Sequence, residues 1–393
     1  MGNQPISKII LAKHPDVITE KKTYTLLIDG DSLLQLAWNA DTKVNTRGEH
    51  YGGVFQFLLQ LKLLISKRPF DFVYVAFDMG LSGQLRANIL PSYKSNRDKT
   101  FSTSEVHSDY YDQMDAFVKR TLEYSKKNKE KIQAKLTSKE DFHRQKDILR
   151  TYLQELFIRE LSFDTIEGDD ILAYFCLNKK ESDLIYLVSG DYDLLQMLSP
   201  TICQYIPRLK KFVSINNFKE IFDYDYQNVL TKKVICGDSS DSIQGVRGIS
   251  EDGLFEMMPE MKDRKVDVWE VIERAKELNQ KRISEKKKPL EKYLNIVNGV
   301  TLGMQKNLYE VNEKIINLRK PLLTDEAKME IKEMMYSPLD PNDRSLSNLY
   351  QYILRDGIDE LRDTNKFSTF FSAFASLRDK EIKFYEKWME ENK

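Results

Sequence analysis

Residues 24–32 read Tyr-Thr-Leu-Leu-Ile-Asp-Gly-Asp-Ser, an apolar run that stops on Asp29. A near-continuous apolar run of strand length is the mark of a strand buried on both faces, as in parallel sheets. Working outward, the pattern recurs. VYVAFD ends on Asp78, and LIYLVSGDYD leads to Asp191 and Asp193. IEGDDIL opens a helix-like segment with Glu167, Asp169 and Asp170, and GDSSDSI carries Asp238 and Asp241. In open parallel sheets ligands bind at the carboxyl ends of the strands, which is where these acids fall. Like charges gathered in one cleft repel and raise each other's pKa. Hard divalent cations such as Mg²⁺ or Mn²⁺ make such a cluster tolerable. The chemistry that follows is metal-dependent phosphoryl transfer or phosphodiester cleavage.

The 393 residues suffice for a sizeable core in two domains, or one domain with a large appendix. With 41% hydrophobic and 31% charged residues the composition is that of an ordinary soluble protein. Cys176, Cys203 and Cys236 lack metal-site spacing and suit a reducing cytoplasm. No apolar run reaches membrane-spanning length, and the N-terminus is no signal peptide. The net charge of −1 hides an asymmetry, with 15 Lys/Arg against 10 Asp/Glu between Arg86 and Arg150. A basic segment beside an acidic cleft fits a polyanionic substrate.

Strands are expected at 24–29, Phe72–Phe77 and Leu184–Val188, with an apolar-faced helix over Gly52–Ser66. Strand signals separated by helix-length segments predict a mostly parallel α/β sheet flanked by helices. Almost ninety residues between Asp78 and Glu167 show no clear strand and read as helices and projecting loops. A short hairpin is expected across Ile202–Tyr205 and Lys211–Ser214. GDSSDSIQGVRGISEDG reads as a Gly-punctuated turn between helices, and helical segments follow to the end. The run Lys281–Lys288, KRISEKKK, reads first as a solvated face and second as a phosphate contact.

The ordered set of LLIDGDSLL, VAFD, LPSYKSNRDK, IEGDD, VSGDYDLLQ and GDSSDSIQGVRGI resembles the 5′-nuclease or flap-endonuclease superfamily over about Tyr24–Met258. It is closest in style to the bacteriophage ribonuclease H branch of 5′–3′ exonucleases. The resemblance implies a PIN-like nuclease domain at 23–222 with a helical arch at about 86–150, preceded by an N-terminal extension at 1–22. A helix–three-turn–helix region at 223–320 and a helical region at 321–393 would follow. It implies two Mg²⁺ ions, with Mn²⁺ as substitute. Asp29, Asp78, Glu167 and Asp169 would hold or orient the first, Asp170 would serve the first or a shared ion, and Asp191, Asp193, Asp238 and Asp241 would serve the second. Lys94 and Arg97 would stabilise charge at the phosphate. Tyr93, Lys94, Arg97 and Arg247 would contact nucleic acid. The implied substrates are 5′-flap or nicked DNA and RNA·DNA hybrids. A monomer in the cytoplasm is implied (the host's, if phage-encoded), with a single-stranded-DNA-binding protein or sliding clamp as partner. The region past about 320 would be helical packing or a docking surface for such partners.

The chain departs from the family pattern where the turn after GVRGI continues with Ser250, Glu251 and Asp252 in place of a glycine and a basic residue. Two acids there should repel DNA and shift the duplex contact towards Lys262, Arg264 and Lys265. Three other readings compete. In a haloacid-dehalogenase-type phosphatase Asp29 would be the nucleophile and Asp31 the acid, but Asp78, IEGDD and SGDYD would have no work. A non-catalytic binder of nucleic-acid structures leaves the costly acid cluster unused. An RNA-processing nuclease differs only in substrate.

Overall fold

Every residue of Leu26–Ile28 is fully buried, as the apolar run requires, and this strand lies inside a six-stranded sheet. The computed structural model describes residues 22–95, 139–299 and 307–392. Strand β1 (Thr23–Asp29) pairs in parallel with β2 (Phe72–Ala76) on one side and β4 (Asp183–Val188) on the other. Beyond β2 lies β3 (Arg159–Leu161), and beyond β4 lies β5 (Ile202–Ile206), both parallel. The edge strand β6 (Lys211–Val213) runs antiparallel to β5, closing the expected hairpin. The order is therefore β3-β2-β1-β4-β5-β6. Strand β3 corrects the expectation of a strandless stretch before Glu167; at three residues it is too short to show a period.

Side chains alternate across β1, so Leu26 and Ile28 face one layer and Leu27 the other. The first layer contains α1 (Gly30–Ala40), α2 (Gly52–Lys67) and α4 (Lys139–Glu155). Between α2 and α4 comes the short α3 (Gln84–Ile89). The second layer is built on α5 (Gly168–Asn178), where Ile171, Leu172 and Phe175 pack on Leu27 and Tyr74.

A third core lies past β6 and the short α6 (Phe218–Phe222). Here α7 (Val229–Cys236) leads into a two-residue ribbon, β7 (Gly237–Asp238) against β8 (Ile243–Gln244). The chain then turns into α8 (Glu251–Met257) and the hairpin of α9 (Val268–Ser284) and α10 (Glu291–Asn298). Helix α11 (Leu308–Ile316) closes this core through Leu308. The turn between helices was legible; the ribbon inside it was not.

The last helices are α12 (Asp325–Tyr336), α13 (Leu346–Asp356), α14 (Thr364–Phe371) and α15 (Ala375–Glu391). They return to the sheet. Ala327, Ile331 and Met335 of α12 join the second layer, and Ile353, Phe370, Phe371 and Phe374 join the first. Arg159 of β3 and Glu381 of α15 form a buried ion pair, with Nη2 donating to Oε2 at 2.8 Å. The 321–393 segment thus completes both layers of the sheet.

Candidate metal and nucleic-acid site

Asp29 caps α1: its Oδ1 accepts from the Ser32 amide at 3.0 Å and its Oδ2 from Ser189 Oγ at 2.6 Å. Gly30 is needed beside it, because a Cβ there would overlap the Phe77 ring. One strand over, Asp78 follows β2 and accepts from the Gly168 amide through Oδ1 at 2.7 Å. That amide opens α5, so Asp169 in the first turn is brought to the same mouth. Asp191 follows β4, and its Oδ1 accepts from the Asp193 amide at 2.7 Å.

These acids feel one another. Burial, with the charges of Asp31 and Asp191, pushes Asp29 up from 3.8 to about 7 against the hydrogen bonds from Ser189 and Ser32. Burial and then Asp191, Asp29 and Asp78 push Asp169 well above its ordinary value. Burial, with Asp241 and Asp238, raises Asp191 against the pull of Lys233.

The outer acids are neutralised. Lys233 Nζ bridges Asp193 and Asp238, and Asp238 Oδ1 also accepts from the Ser240 amide at 2.9 Å. Burial acts upward on Asp238, but Lys233 and Ser240 outweigh it and hold the carboxyl at about 2. Glu167 takes Lys94, Arg86 and the Tyr93 hydroxyl, the last at 3.0 Å. Among the described residues no lysine or arginine forms an ion pair with Asp29, Asp78, Asp169 or Asp191. Four half-buried carboxylates, three of them raised by burial and neighbouring charge, suit a hard divalent cation as donor set. Among the described residues no three acids are already drawn in to the spacing of a closed ligand set.

Asp170 and Tyr93 are engaged in other contacts. Asp170 is 1% exposed, meets Arg86 with both oxygens and accepts from the Leu322 amide at 2.9 Å. It joins Arg86 to the segment before α12. Tyr93, expected to contact nucleic acid, is 9% exposed among Leu90, Ile243 and Val311, so its ring has no face for a base. Lys94 holds φ at 53°, its amide donating to the Asp241 carbonyl at 2.8 Å. Asp241 also accepts from the Tyr93 hydroxyl at 3.4 Å. Arg97 lies outside the described residues. Asp31 accepts from Lys146 Nζ at 2.8 and 3.0 Å and from the Asp78 amide at 2.6 Å. So fixed, it is no free acid for a phosphatase.

The sequence marked neither Arg86, Lys146, Ser189 nor Lys233. Arg86 and Lys146 are buried cations, each far along the chain from its acids, and only the fold joins them. On the third core, Arg247 is exposed at the turn, where its carbonyl accepts from Asn295 Nδ2 at 3.0 Å. Ser250 caps α8 by accepting from the Gly253 amide at 3.1 Å, and Glu251 pairs with Lys232 at 2.9 Å. The alternative cations are paired too: Lys262 with Asp223, Arg264 with Glu270, and Lys265 with Asp267. Among the described residues no helix is long and apolar enough to cross a membrane.

The family model of the 5′-3′ exonuclease N-terminal resolvase-like domain matches residues 24–232. A 5′-3′ exonuclease of Mycoplasmopsis pulmonis (strain UAB CTIP) is 23% identical over 306 residues, which span 76% of this chain and 88% of that protein. A 5′-3′ exonuclease of Bacillus subtilis (strain 168) is 28% identical over 250 residues, 60% of this chain and 69% of that protein. DNA polymerase I of the same bacterium is 24% identical over 276 residues, but only 26% of its length is matched. Among solved structures, the bacteriophage T5 flap endonuclease in a pseudo-enzyme–product complex with DNA and metal ions superposes with a TM-score of 0.52. It is 15% identical, over 91% of this chain and 99% of that one, a likeness of fold.

Proposed function

The chain belongs to the 5′-3′ exonuclease and flap endonuclease family of phosphodiester-hydrolysing nucleases, and on that premise we propose that it is a structure-specific 5′-nuclease that uses two Mg²⁺ ions. The observation that carries this reading is the quartet Asp29, Asp78, Asp169 and Asp191. Asp29, Asp78 and Asp191 stand at strand ends and Asp169 in the first turn of α5; all four are half-buried, three have a raised pKa and none is ion-paired among the described residues. The quartet would hold one ion, and Asp193, Asp238 and Asp241, with Asp191 shared, the second. Bound there, divalent cations supply Lewis acidity at the scissile phosphate and at the attacking water.

The chain's own residues do the rest. Ser189 and Ser32 fix the Asp29 carboxylate, and the Gly168 amide fixes Asp78. Glu167 is an orienting residue that anchors Lys94 at the cleft, where the ammonium would meet a phosphate oxygen as negative charge builds. Arg97 would add a second cation from the same basic segment. Lys233 shields Asp193 and Asp238, and would shift when an ion arrives between them.

The proposed substrates are 5′-flap and nicked DNA and RNA·DNA hybrids, recognised by structure. The test is cleavage of 5′-labelled flap, nicked duplex and hybrid, each with and without Mg²⁺. Cleavage from the 5′ end that depends on Mg²⁺ and is lost in Asp191→Asn is the expected result. Undiminished cleavage by that variant would refute the two-ion site.

A further inference from the structure

The acids after the GVRGI turn pose a question that the α9–α10 hairpin answers. Glu251 and Asp252 occupy the first turn of α8, where acids suit the helix dipole but cancel its attraction for phosphate. Immediately beside that turn stands α10. Asn295 bonds the Arg247 carbonyl, and a Cβ on Gly248 would lie 3.5 Å from Lys292 Cβ. The chain that enters α10 is the run from Lys281 to Lys292, which carries six Lys/Arg against two Glu. Residues 283–289 are all exposed. Lys287 pairs with Glu285 at 2.7 Å, while among the described residues Lys281, Lys286 and Lys288 face no carboxylate within ion-pair distance. A solvated-face reading accounts for Lys281 and Arg282, which suit the last turn of a helix, but not for three lysines beyond its end.

The backbone gives a second observation. Helix α9 ends in a Schellman turn: the Lys286 amide donates to the Ile283 carbonyl at 2.9 Å and the Lys287 amide to Arg282 at 2.8 Å. The left-handed residue of that turn is Lys286, with φ of 60°, where glycine is the usual occupant. A lysine stands at a position that disfavours it. The loop is also held in place: Asn279 bonds both the amide and the carbonyl of Leu290, at 2.8 and 3.3 Å, and Arg282 Nε donates to the Lys288 carbonyl at 3.0 Å.

We propose that the α9–α10 loop, through Lys286, Lys287 and Lys288, is a duplex-phosphate contact that extends the binding surface beyond the acidic turn. The inference rests on the nuclease reading and names the surface that would hold its double-stranded arm. The contact is to the sugar–phosphate backbone, so it is insensitive to sequence and weakened by salt.

The test is anisotropy titration of a labelled nicked duplex with the full chain in EDTA over a series of salt concentrations. It compares wild type, a triple variant (Lys286→Gln, Lys287→Gln, Lys288→Gln) and the matching triple arginine variant. Cleavage in Mg²⁺ is assayed in parallel, and melting temperatures check the fold. The glutamine variant should bind at least about tenfold more weakly, with its log–log salt slope reduced by about 3, and arginine should restore both. Unchanged affinity and slope, with wild-type cleavage intact, would overturn this surface and leave the nuclease reading standing. A wild type that neither binds nor cleaves duplex substrates would overturn both.

Discussion

The Asp29 side chain accepts hydrogen bonds from Ser32 and Ser189, yet burial and neighbouring charge hold its pKa at about 7. The folded value lies above the unfolded one, so this carboxyl contributes stability fully at low pH, and the contribution fades as pH rises through 7. In EDTA, wild type should therefore lose stability relative to Asp29→Asn between about pH 4 and pH 7. Urea unfolding at each pH measures the difference, and Mg²⁺ should reverse it at neutral pH. A pH-independent difference would show that the carboxyl is not strained by its surroundings. Asp31 separates the competing chemistries: Asp31→Asn should keep cleavage within about tenfold, since an amide oxygen still accepts from Lys146, whereas a phosphatase would be inactivated. Lys146→Ala should cost about 1–3 kcal/mol of stability by leaving Asp31 without its cation. Asp29, Asp78 and Asp191 were legible because each follows an apolar run, and Asp169 because it opens a helix-like one. Their partners were not, because Lys146 lies 115 residues from Asp31 and no local pattern joins them.

Helix ends carry much of what distinguishes this chain. Lys286→Gly should raise stability by about 0.5–1 kcal/mol, because relief of the Cβ penalty at the left-handed position outweighs the added freedom of the unfolded chain. The same change should weaken duplex binding, and the opposite signs of the two effects in one variant are the check. From sequence, Glu251 reads as a repulsive charge facing DNA; in the fold it pairs with Lys232, so the repulsion falls mainly on Asp252. The β5–β6 hairpin was legible from its alternation and turn residues. Strand β3 was hidden because a three-residue strand shows no period and gains its identity from pairing with β2.

Across the whole molecule, the segment past residue 320 is part of the sheet's two layers. Phe371→Ala should cost about 3–5 kcal/mol, since that ring is 1% exposed within the first layer. A chain ending at residue 320 should lose cooperative unfolding in circular dichroism; a sharp transition with wild-type denaturant sensitivity would contradict this packing. The segment carried no motif because its residues serve packing, and packing alone leaves only an amphipathic rhythm in the sequence. Asp238 and Asp241, by contrast, ride on the β7–β8 ribbon, where a Cβ on Gly237 or Gly245 would overlap backbone. The ribbon's Ile243 packs with Leu90, Tyr93 and Val311, whereas Asp29 and Asp78 follow strands of the sheet and Asp169 opens α5. A cation held by acids of both would act as a rivet between the ribbon and the mouth of the sheet. If a seated polyanion strengthens that rivet, reciprocity demands that the rivet strengthen the seating by the same factor.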